Sequence, residues 1–283
     1  MRIILAQPRG FCSGVKKAVQ MLESALKHSG EQPIYVYHHI VHNTWIVEDF
    51  QRKGVVFVES LAEVPDGAIM LFSAHGVAPH IRQEANDRHI KTIDATCSLV
   101  EKVHQLASHY ADAGYKIILI GHRKHDEIVG IAGEAPDAIF VVENEAEIAA
   151  LDFAENEKLA YLTQTTLSIS ETQTLIERLK QRFPQIEMPF KTNICSATQS
   201  RQDAVRKAAK DADAALIVGS QNSSNSRRLQ EIAEAEGLPA YLVDGPNDMH
   251  PGLFNPDSTI LITAGASAPE HLVEGCIKLL KGT

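Results

Sequence analysis

The sequence predicts an α/β fold made of three pseudo-symmetric parallel-sheet units. Apolar, strand-like segments alternate with amphipathic, helix-like segments, which is the pattern of parallel α/β sheets. The pattern occurs three times without a Gly/Ser-rich linker. In each repeat a cysteine ends a strand-like segment and opens a helix-like one. We expect repeats at residues 13–96, 97–194 and 195–283, the last completed by residues 1–12, and the three cysteines are Cys12, Cys97 and Cys195.

The first repeat begins with a helix after Cys12, because Val15, Val19, Leu22 and Leu26 recur at helical spacing. Apolar runs then predict four strands. Polar loops follow the first and third of them, at residues 38–43 and 73–76. The expected strands are Ile34–Tyr37, Val55–Val58, Ile69–Phe72 and Thr92–Ala95.

The second repeat has the same order. Its first helix carries Val100, Val103, Ala107 and Tyr110 on one face. Polar loops at residues 121–127 and 163–166 follow its first and third strands. The expected elements are strands Lys116–Ile120, Ile139–Val142 and Ala160–Leu162 and a helix near Glu171–Arg182.

The third repeat starts with a helix that contains Ala204, Val205 and Ala208. Polar loops are expected at residues 219–226 and 264–267. No strand follows its last helix, so the N-terminal strand Arg2–Ala6 is expected to complete this repeat. The other expected elements are strands Ala215–Val218, Ala240–Val243 and Ile260–Thr263 and a helix Pro269–Lys281. Because ligands of parallel sheets bind beyond the carboxyl ends of the strands, we expect all three cysteines and the six loops to face one region.

Composition excludes several classes of protein. The 283 residues are 44% hydrophobic and carry a net charge of −9, which argues against a nucleic-acid or anionic-membrane surface. No apolar run approaches the roughly 20 residues of a membrane span. Four cysteines are too few for a secreted disulfide framework, so we expect a reducing, cytoplasmic location.

The three cysteines indicate a metal centre at the middle of the fold. A helix N-terminus favours a thiolate, and three thiolates would leave one iron of a four-iron cluster without a protein ligand. Such an open iron is a Lewis acid. Structural zinc prefers paired Cys-x-x-Cys elements, and ferredoxin ligands cluster at short spacing. We therefore favour a central iron–sulfur site over zinc or inert thiols, and we expect Cys276, on an apolar helix face, to lie in the core.

Histidines and small hydroxyl side chains follow the strands and indicate an anion site. Six of the thirteen histidines stand in strand-end loops, and we favour three as site residues, while His38, His39 and His122 flank or brace them. The third repeat supplies serine and asparagine instead, which together with two threonines would surround phosphoryl oxygens. The candidates are His42, His75, His125, Thr165, Thr166, Ser223, Ser224, Asn225 and Ser267.

Glu127 is the candidate proton donor among these loops. Its pKa is expected to rise beside an anionic diphosphate, and a raised pKa suits a general acid. The alternative is a solvated acid at the start of a helix. Walker A and Gly-x-Gly-x-x-Gly motifs are absent from the sequence, so a nucleotide site is not expected.

A series of short motifs, in order along nearly the whole chain, resembles the 4-hydroxy-3-methylbut-2-enyl diphosphate reductase family. The matching segments are Phe11-Cys12-x-Gly14-Val15, Val41-His42-Asn43, Ser73-Ala74-His75-Gly76, Asp94-Ala95-Thr96-Cys97, Gly121-His122-x-x-His125-x-Glu127, Thr163-Gln164-Thr165-Thr166-Leu167-Ser168, Ser220-x-Asn222-Ser223-Ser224-Asn225-Ser226 and Thr263-Ala264-Gly265-Ala266-Ser267.

The resemblance implies a role for each candidate residue. Cys12, Cys97 and Cys195 would bind a [4Fe-4S] cluster with one open iron. Glu127 and Thr165 would lie near the hydroxymethyl group of the substrate, and Glu127 would supply protons. The diphosphate would be held by His42, His75, His125, Ser223, Ser224, Asn225 and Ser267.

The same resemblance implies the reaction and its partners. The expected reaction is the reductive dehydration of an allylic diphosphate to isopentenyl and dimethylallyl diphosphate, the last step of the methylerythritol phosphate pathway. A reduced ferredoxin or flavodoxin would donate two electrons. The competing hypotheses are a cluster-bearing relative that senses redox state or binds diphosphates without turnover, and a zinc-dependent hydrolase.

Two positions depart from the family pattern. The family commonly has proline after the second cysteine and before the glutamate, where this chain has Ser98 and Asp126. Serine is tolerated in a first helical turn, so Ser98 should have a small effect. Asp126 places a second carboxylate beside Glu127, which is expected to raise the pKa of Glu127 further or to perturb proton delivery.

Overall fold

The computed structural model describes residues 1–187, 189, 193–250 and 252–282, without the side chains of residues 170 and 171. Within these residues eleven strands alternate with ten α-helices. The strands are Arg2–Leu5 (β1), Ile34–Tyr37 (β2), Val56–Val58 (β3), Ile69–Phe72 (β4), Lys91–Asp94 (β5), Lys116–Ile120 (β6), Ile139–Val142 (β7), Leu159–Thr163 (β8), Ala214–Val218 (β9), Ala240–Val243 (β10) and Thr259–Ala264 (β11). The helices are Ser13–His28 (α1), Thr44–Arg52 (α2), Pro79–Asp87 (α3), Ser98–Asp112 (α4), Asp126–Ala132 (α5), Glu145–Ala150 (α6), Ile169–Arg182 (α7), Ser196–Ala209 (α8), Ser224–Ala235 (α9) and Glu270–Lys281 (α10).

The strands form three sheets in two compact units. The first, which we call the terminal unit, comprises Met1–Lys16, Val41–Phe50 and Ser196–Thr283. The second, the middle unit, comprises Lys17–Ile40 and Gln51–Cys195. Every pairing between named strands is parallel. The predicted α/β class with parallel sheets is therefore confirmed.

The terminal unit contains one four-stranded sheet in the order β1-β11-β9-β10. Successive residues of its central strands point to opposite faces, as they do in any strand. Leu216 and Val218 pack on the side of Cys276, whereas Ala215 and Ile217 pack against Val205. Both faces are covered, which explains why these strands are continuous apolar runs. Cys276 is fully buried, as the sequence predicts, and burial raises the pKa of its thiol to about 11.

The middle unit contains the other two sheets, in the orders β3-β2-β4-β5 and β7-β6-β8. In the second of these, Ile117 and Leu119 face a cluster that includes Val103, while Ile118 and Ile120 face one that includes Leu179. Burial on both faces fixes the register of each strand, because a shift by one residue would exchange the two faces. The side chains at the strand ends are held in place by this register.

Most predicted elements agree with the structure to within one or two residues, and four helices were not predicted. These are α2, α5, α6 and α9. Residues 224–226 were expected in a loop, but they form the first turn of α9. The Ser223 hydroxyl accepts a hydrogen bond from the Ser226 N–H at 3.2 Å, which caps the helix and starts it at residue 224.

The strands that precede the cysteines differ from the prediction. β1 ends at Leu5, seven residues before Cys12, and β5 ends at Asp94, three residues before Cys97. The strand expected before Cys195 falls on residues 188 and 190–192, which lie outside the described residues. The repeat boundaries at residues 97 and 195 remain a prediction. No helix among the described residues combines the length and apolar character that crossing a bilayer requires.

Candidate active site

Each of the three candidate cysteines directly precedes a helix. Cys12 precedes α1, Cys97 is the N-cap of α4, and Cys195 precedes α8. All three are partly exposed, and no disulfide joins any of the four cysteines, all of which are described. The Cys12 Sγ accepts the Val15 N–H at 3.4 Å, as expected for a sulfur at a helix N-terminus. The donor set and its setting fit thiolate ligands of an iron–sulfur cluster.

The backbone N–H of each cysteine donates to a loop that carries a candidate substrate residue. The Cys12 N–H donates to Ala266 O at 3.1 Å, next to Ser267. The Cys97 N–H donates to Ala74 O at 3.0 Å, next to His75. The Cys195 N–H donates to Thr165 O at 2.9 Å. One hydrogen bond therefore fixes each cysteine to a strand-end loop, in the same way in all three repeats.

The terminal unit supplies the neutral part of the candidate site. Ser223, Ser224 and Asn225 lie at the N-terminus of α9 and are buried. The Ser267 hydroxyl donates to the backbone O of His42 at 2.8 Å, which joins the loop after β11 to the loop before α2. Five of the sequence-predicted residues therefore belong to the terminal unit: His42, Ser223, Ser224, Asn225 and Ser267. The N-terminus of α9, a twelve-residue helix, favours an anion.

Asn225 is the candidate residue at the start of α9 whose side-chain amide is unpaired within the described part of the chain. The residue is 4% exposed, and among the described residues neither its Oδ1 nor its Nδ2 has a hydrogen-bond partner. Leaving both amide atoms unsatisfied costs about 1–3 kcal/mol for each group in a protein interior. A buried amide of this kind is expected where a polar ligand completes the hydrogen bonds.

Glu127 and Thr165 form a buried pair in the middle unit. The Thr165 N–H donates to Glu127 Oε1 at 2.7 Å, and the Thr165 hydroxyl donates to Oε2 at 2.9 Å. Burial raises the pKa of Glu127 from 4.5 to about 7, although the two hydrogen bonds and the His104 imidazole act in the opposite direction. A carboxyl group that titrates near neutral pH can both donate and accept a proton. The alternative interpretation of Glu127 as a solvated acid at the start of a helix is wrong, because Glu127 is 1% exposed.

Two histidines flank this pair. His125 is the N-cap of α5, and its Nδ1 accepts the Glu127 N–H at 3.1 Å. The His125 ring therefore carries its proton on Nε2. The His75 ring lies edge to face with it, 5.6 Å between centroids, and its Nδ1 is 3.3 Å from the Ser73 hydroxyl. Thr166 accepts a hydrogen bond from Gln164 Nε2 at 3.0 Å.

Asp126 was expected to raise the pKa of Glu127 or to perturb proton delivery, and the structure bears on the first of these effects. Its charge is not among the causes of the raised pKa of Glu127, which is due to burial. Instead, Asp126 Oδ1 lies 2.7 Å from His38 Nδ1 and Oδ2 lies 3.8 Å from His75 Nδ1. The hydrogen bond to Asp126 is the main reason that the pKa of His38 is raised.

Two further residues were not selected from the sequence. His104, for which a surface or packing role was the default, is 4% exposed in α4, and its Nδ1 is 2.6 Å from Glu134 Oε1. Arg201, also 4% exposed, donates from Nη2 to Gly10 O at 2.6 Å in the segment before Cys12. Their positions along the two helices could have indicated that both residues are buried. Both fall on the buried faces of their helices, His104 four residues after Val100 and Arg201 four residues before Val205.

The comparisons with known proteins agree on one family. The family model described as LytB protein matches residues 3–281. A 4-hydroxy-3-methylbut-2-enyl diphosphate reductase of Rhodopirellula baltica is 54% identical over 99% of this chain and 88% of that protein. The enzyme of the same name from Pseudomonas aeruginosa is 50% identical, over 99% of this chain and 90% of its own length.

Solved structures give the same result. The E-1-hydroxy-2-methyl-but-2-enyl-4-diphosphate reductase of Plasmodium falciparum matches with a TM-score of 0.95 and 39% identity, over 99% of this chain and 88% of that one. A structure described as the terminal enzyme of the non-mevalonate pathway matches with a TM-score of 0.72 and 29% identity, over the full length of both chains. Since the family model and the relatives cover nearly all of the sequence, the chain belongs to the LytB protein family.

Proposed function

We propose that this chain is a 4-hydroxy-3-methylbut-2-enyl diphosphate reductase that forms isopentenyl and dimethylallyl diphosphate. In this reaction a C–O bond of the allylic alcohol breaks and a C–H bond forms. Two electrons and two protons are consumed, and one water molecule leaves. Family membership supports the substrate class. The observation that carries the proposal is the repeated backbone hydrogen bond that fixes each cysteine to a loop with a candidate substrate residue.

The three cysteines would hold a [4Fe-4S] cluster. Each lies at a helix N-terminus with its side chain partly exposed, a setting that stabilises a thiolate. When bound, the cluster supplies electrons and an iron with Lewis-acid character. The Arg201 hydrogen bond to Gly10 holds the backbone that leads to Cys12. Cys12, Cys97 and Cys195 are therefore proposed as metal ligands.

Neutral donors and histidines would bind the diphosphate. Ser223, Ser224 and Asn225 offer hydroxyl and amide groups at the N-terminus of α9. The unsatisfied amide of Asn225 supports a ligand at this position. The Nε2–H of His125 is a further donor. Many modest donors suit a phosphate in a buried site, because each hydrogen bond to a charged oxygen is stronger there than in water. The full proposed set is His42, His75, His125, Thr165, Thr166, Ser223, Ser224, Asn225 and Ser267.

Glu127 would supply protons, and Thr165 would hold its carboxyl group in position. With a pKa of about 7, Glu127 is protonated in a large fraction of molecules at neutral pH and can be reprotonated between turnovers. The Thr165 hydroxyl bonded to Oε2 orients the carboxyl and can relay a proton to a substrate hydroxyl. A protein that only binds a diphosphate has no need for such a group.

The electrons would come from a reduced ferredoxin or flavodoxin. A small one-electron donor fits the need for two successive electron transfers into a cluster that these partly exposed cysteines would hold. Thiolate ligands and an open iron require a reducing compartment, and a cytoplasmic location is proposed for this reason.

Anaerobic turnover tests the proposal. Cluster-reconstituted protein is mixed with a reduced viologen dye and 4-hydroxy-3-methylbut-2-enyl diphosphate, and dye oxidation is followed. We expect substrate-dependent oxidation that Cys97→Ser abolishes. The matched control is Cys276→Ala, which removes the core cysteine and should keep both turnover and about four iron atoms per chain.

Two other results would each contradict the proposal. An intact iron–sulfur spectrum without substrate-dependent oxidation would identify a diphosphate-binding relative that does not turn over. Zinc in place of iron, with hydrolysis of the diphosphate, would identify the hydrolase.

A further inference from the structure

Asp126 lies between two histidine-bearing loops of the middle unit. One carboxylate oxygen is 2.7 Å from Nδ1 of His38, which follows β2, and the other is 3.8 Å from Nδ1 of His75, which follows β4. The three side chains are 13–23% exposed, so solvent screens them only in part. A small cavity of about 60 Å³ borders His38, Ser73 and Asp126. Asp126 is the first residue of α5 and directly precedes Glu127.

The contact with His38 is built into the backbone. His38 has a φ of +56°, a conformation that costs energy for a residue with a side chain, and its N–H donates to Val58 O at 2.8 Å. Its ring stacks on Tyr37 at 4.2 Å between centroids, and its Nε2 lies 3.9 Å from Glu59. The His38 ring is thus held from several sides with Nδ1 directed at Asp126. One carboxylate oxygen is occupied, which orients the other towards His75.

The protein contacts the same ring atom, Nδ1, in both His75 and His125. This nitrogen accepts a hydrogen bond in His125 and is expected to carry a proton in His75. His125 Nδ1 accepts a backbone N–H, so its Nε2 carries the proton. His75 Nδ1 lies 3.3 Å from the Ser73 hydroxyl and 3.8 Å from Asp126 Oδ2, and the negative charge of the carboxylate favours a proton on Nδ1. Ser73 and Asp126 thereby hold the Nδ1 side of the His75 ring.

We propose that Asp126 is a positioning residue for diphosphate binding: clamped by His38, its carboxylate fixes the orientation and the Nδ1 proton of His75. The inference rests on the diphosphate-binding part of the proposed function. It gives this chain a carboxylate–histidine–phosphate chain of contacts in which Asp126 itself does not touch the substrate. The carboxylate beside Glu127 acts on binding and not on proton delivery.

Two variants and one control test the role of Asp126. Asp126→Asn keeps the size of the side chain and removes its charge, and Asp126→Ala removes both contacts. Alanine is well tolerated in a first helical turn. The control is Glu145→Gln, which neutralises the first residue of α6 in the same unit, where the carboxylate is paired with the exposed Arg178. It tests whether the loss of any first-turn charge has the same effect.

The first measurement is the calorimetric titration of cluster-loaded protein with inorganic pyrophosphate. We expect Kd to rise about fivefold in both Asp126 variants, the size of one partly exposed charge contact, and to stay unchanged in Glu145→Gln. Under turnover, KM should rise by the same factor while kcat stays within about twofold. An unchanged pyrophosphate Kd, or no pyrophosphate binding to the unaltered protein, overturns the inference.

The second measurement is the tautomer of His75, read from proton–nitrogen correlation spectra of histidine-labelled protein and assigned with His75→Asn. We expect a protonated Nδ1 in the unaltered protein and a mixture of tautomers in Asp126→Ala. An Nε2-only tautomer in the unaltered protein contradicts the inference. If dye oxidation fails while pyrophosphate binding still depends on Asp126, the proposed reductase activity is wrong and the role of Asp126 in binding stands.

Discussion

The terminal and middle units present chemically different side chains at the ends of their strands. In the terminal unit the site residues are mostly serine and asparagine, and Asn225 is buried with an unsatisfied amide. In the middle unit they are carboxylates and histidines that contact one another. Glu127 bonds to Thr165, His125 accepts from the Glu127 N–H, and Asp126 joins His38 to His75.

The difference separates groups that can bind an anion at any ordinary pH from groups whose charge depends on pH. Neutral hydroxyl and amide groups keep the same charge at all ordinary pH values, so they can hold an anion without taking part in its chemistry. Carboxylates and histidines change charge near neutral pH when burial or a partner shifts their pKa. The terminal unit is therefore expected to set a part of the affinity that does not change with pH, and the middle unit is expected to set the rate and the pH dependence of both rate and affinity.

The largest expected effect is on the rate. Glu127→Gln keeps the size of the side chain and removes the transferable proton, so kcat should fall by about 10²- to 10⁴-fold, the usual contribution of general acid–base catalysis. Steady-state anaerobic turnover measures this. The Kd for inorganic pyrophosphate should remain within about twofold, because Glu127 is not itself a proposed diphosphate ligand and a glutamine at this position can still bond to Thr165. A variant that retains normal turnover would show that the proton comes from elsewhere.

The next effect is on stability. Because the pKa of Glu127 is 4.5 when unfolded and about 7 when folded, the folded state holds this proton more tightly. The contribution of Glu127 to the free energy of unfolding is therefore fully present below pH 4.5. It is lost as the pH rises to about 7, a loss of about 3 kcal/mol. Anaerobic denaturation across this range should show the loss, and Glu127→Gln should lack it. Equal pH profiles for the two proteins would rule out the shifted pKa.

A smaller effect tests how tightly the middle unit is packed behind the site. Gly76 follows His75 and has a φ of +76°, and a Cβ placed there would lie 2.7 Å from Nε2 of the buried His104. Gly67 has a φ of +74° with no atom within 4 Å of such a Cβ. Gly76→Ala should lower the free energy of unfolding by roughly 2–4 kcal/mol, against about 1 kcal/mol for the control Gly67→Ala. Equal losses would mean that His104 moves aside freely.

The smallest effect is on affinity. Asn225→Ala removes two hydrogen-bonding groups from the N-terminus of α9, so KM should rise about tenfold with little change in kcat. The factor should be the same from about pH 6 to about pH 8, because no titratable group is lost. Asn222→Ala, at an exposed position of the same loop, is the control and should leave KM unchanged. A strongly pH-dependent factor would contradict the division between the two units.

The sequence was sufficient to predict most of the strands, because the residue patterns that indicate a strand are local. Strands Ile34–Tyr37, Ile69–Phe72 and Lys116–Ile120 agree with the prediction at both ends. These strands are covered on both faces, which requires continuous apolar runs that stand out in the sequence. The motifs could also be found from local sequence, because a histidine or serine directly after an apolar run marks a strand-end loop.

The helices α2 and α9 were missed because a polar, turn-like segment stands where each of them begins, Asn43-Thr44 for α2 and Ser223–Ser226 for α9. Asn43 Oδ1 accepts the Ile46 N–H at 3.0 Å, and Ser223 caps α9 in a similar way. Runs of serine and asparagine are typical of turns, and only the capping hydrogen bond and the packing of residues such as Leu229 on the sheet make them helical.

The sequence by itself determined the α/β class, the candidate cysteines and the candidate residues at the strand ends. These follow from residue type and from spacing along the chain. The tertiary structure decided what each side chain does to its neighbours. That Glu127 titrates near neutral pH, that Asp126 acts on two histidines, and that Asn225 lacks a partner all depend on burial and on contacts across tens of residues. Burial and long-range distance are set by how the elements pack, and no local pattern in the sequence records them.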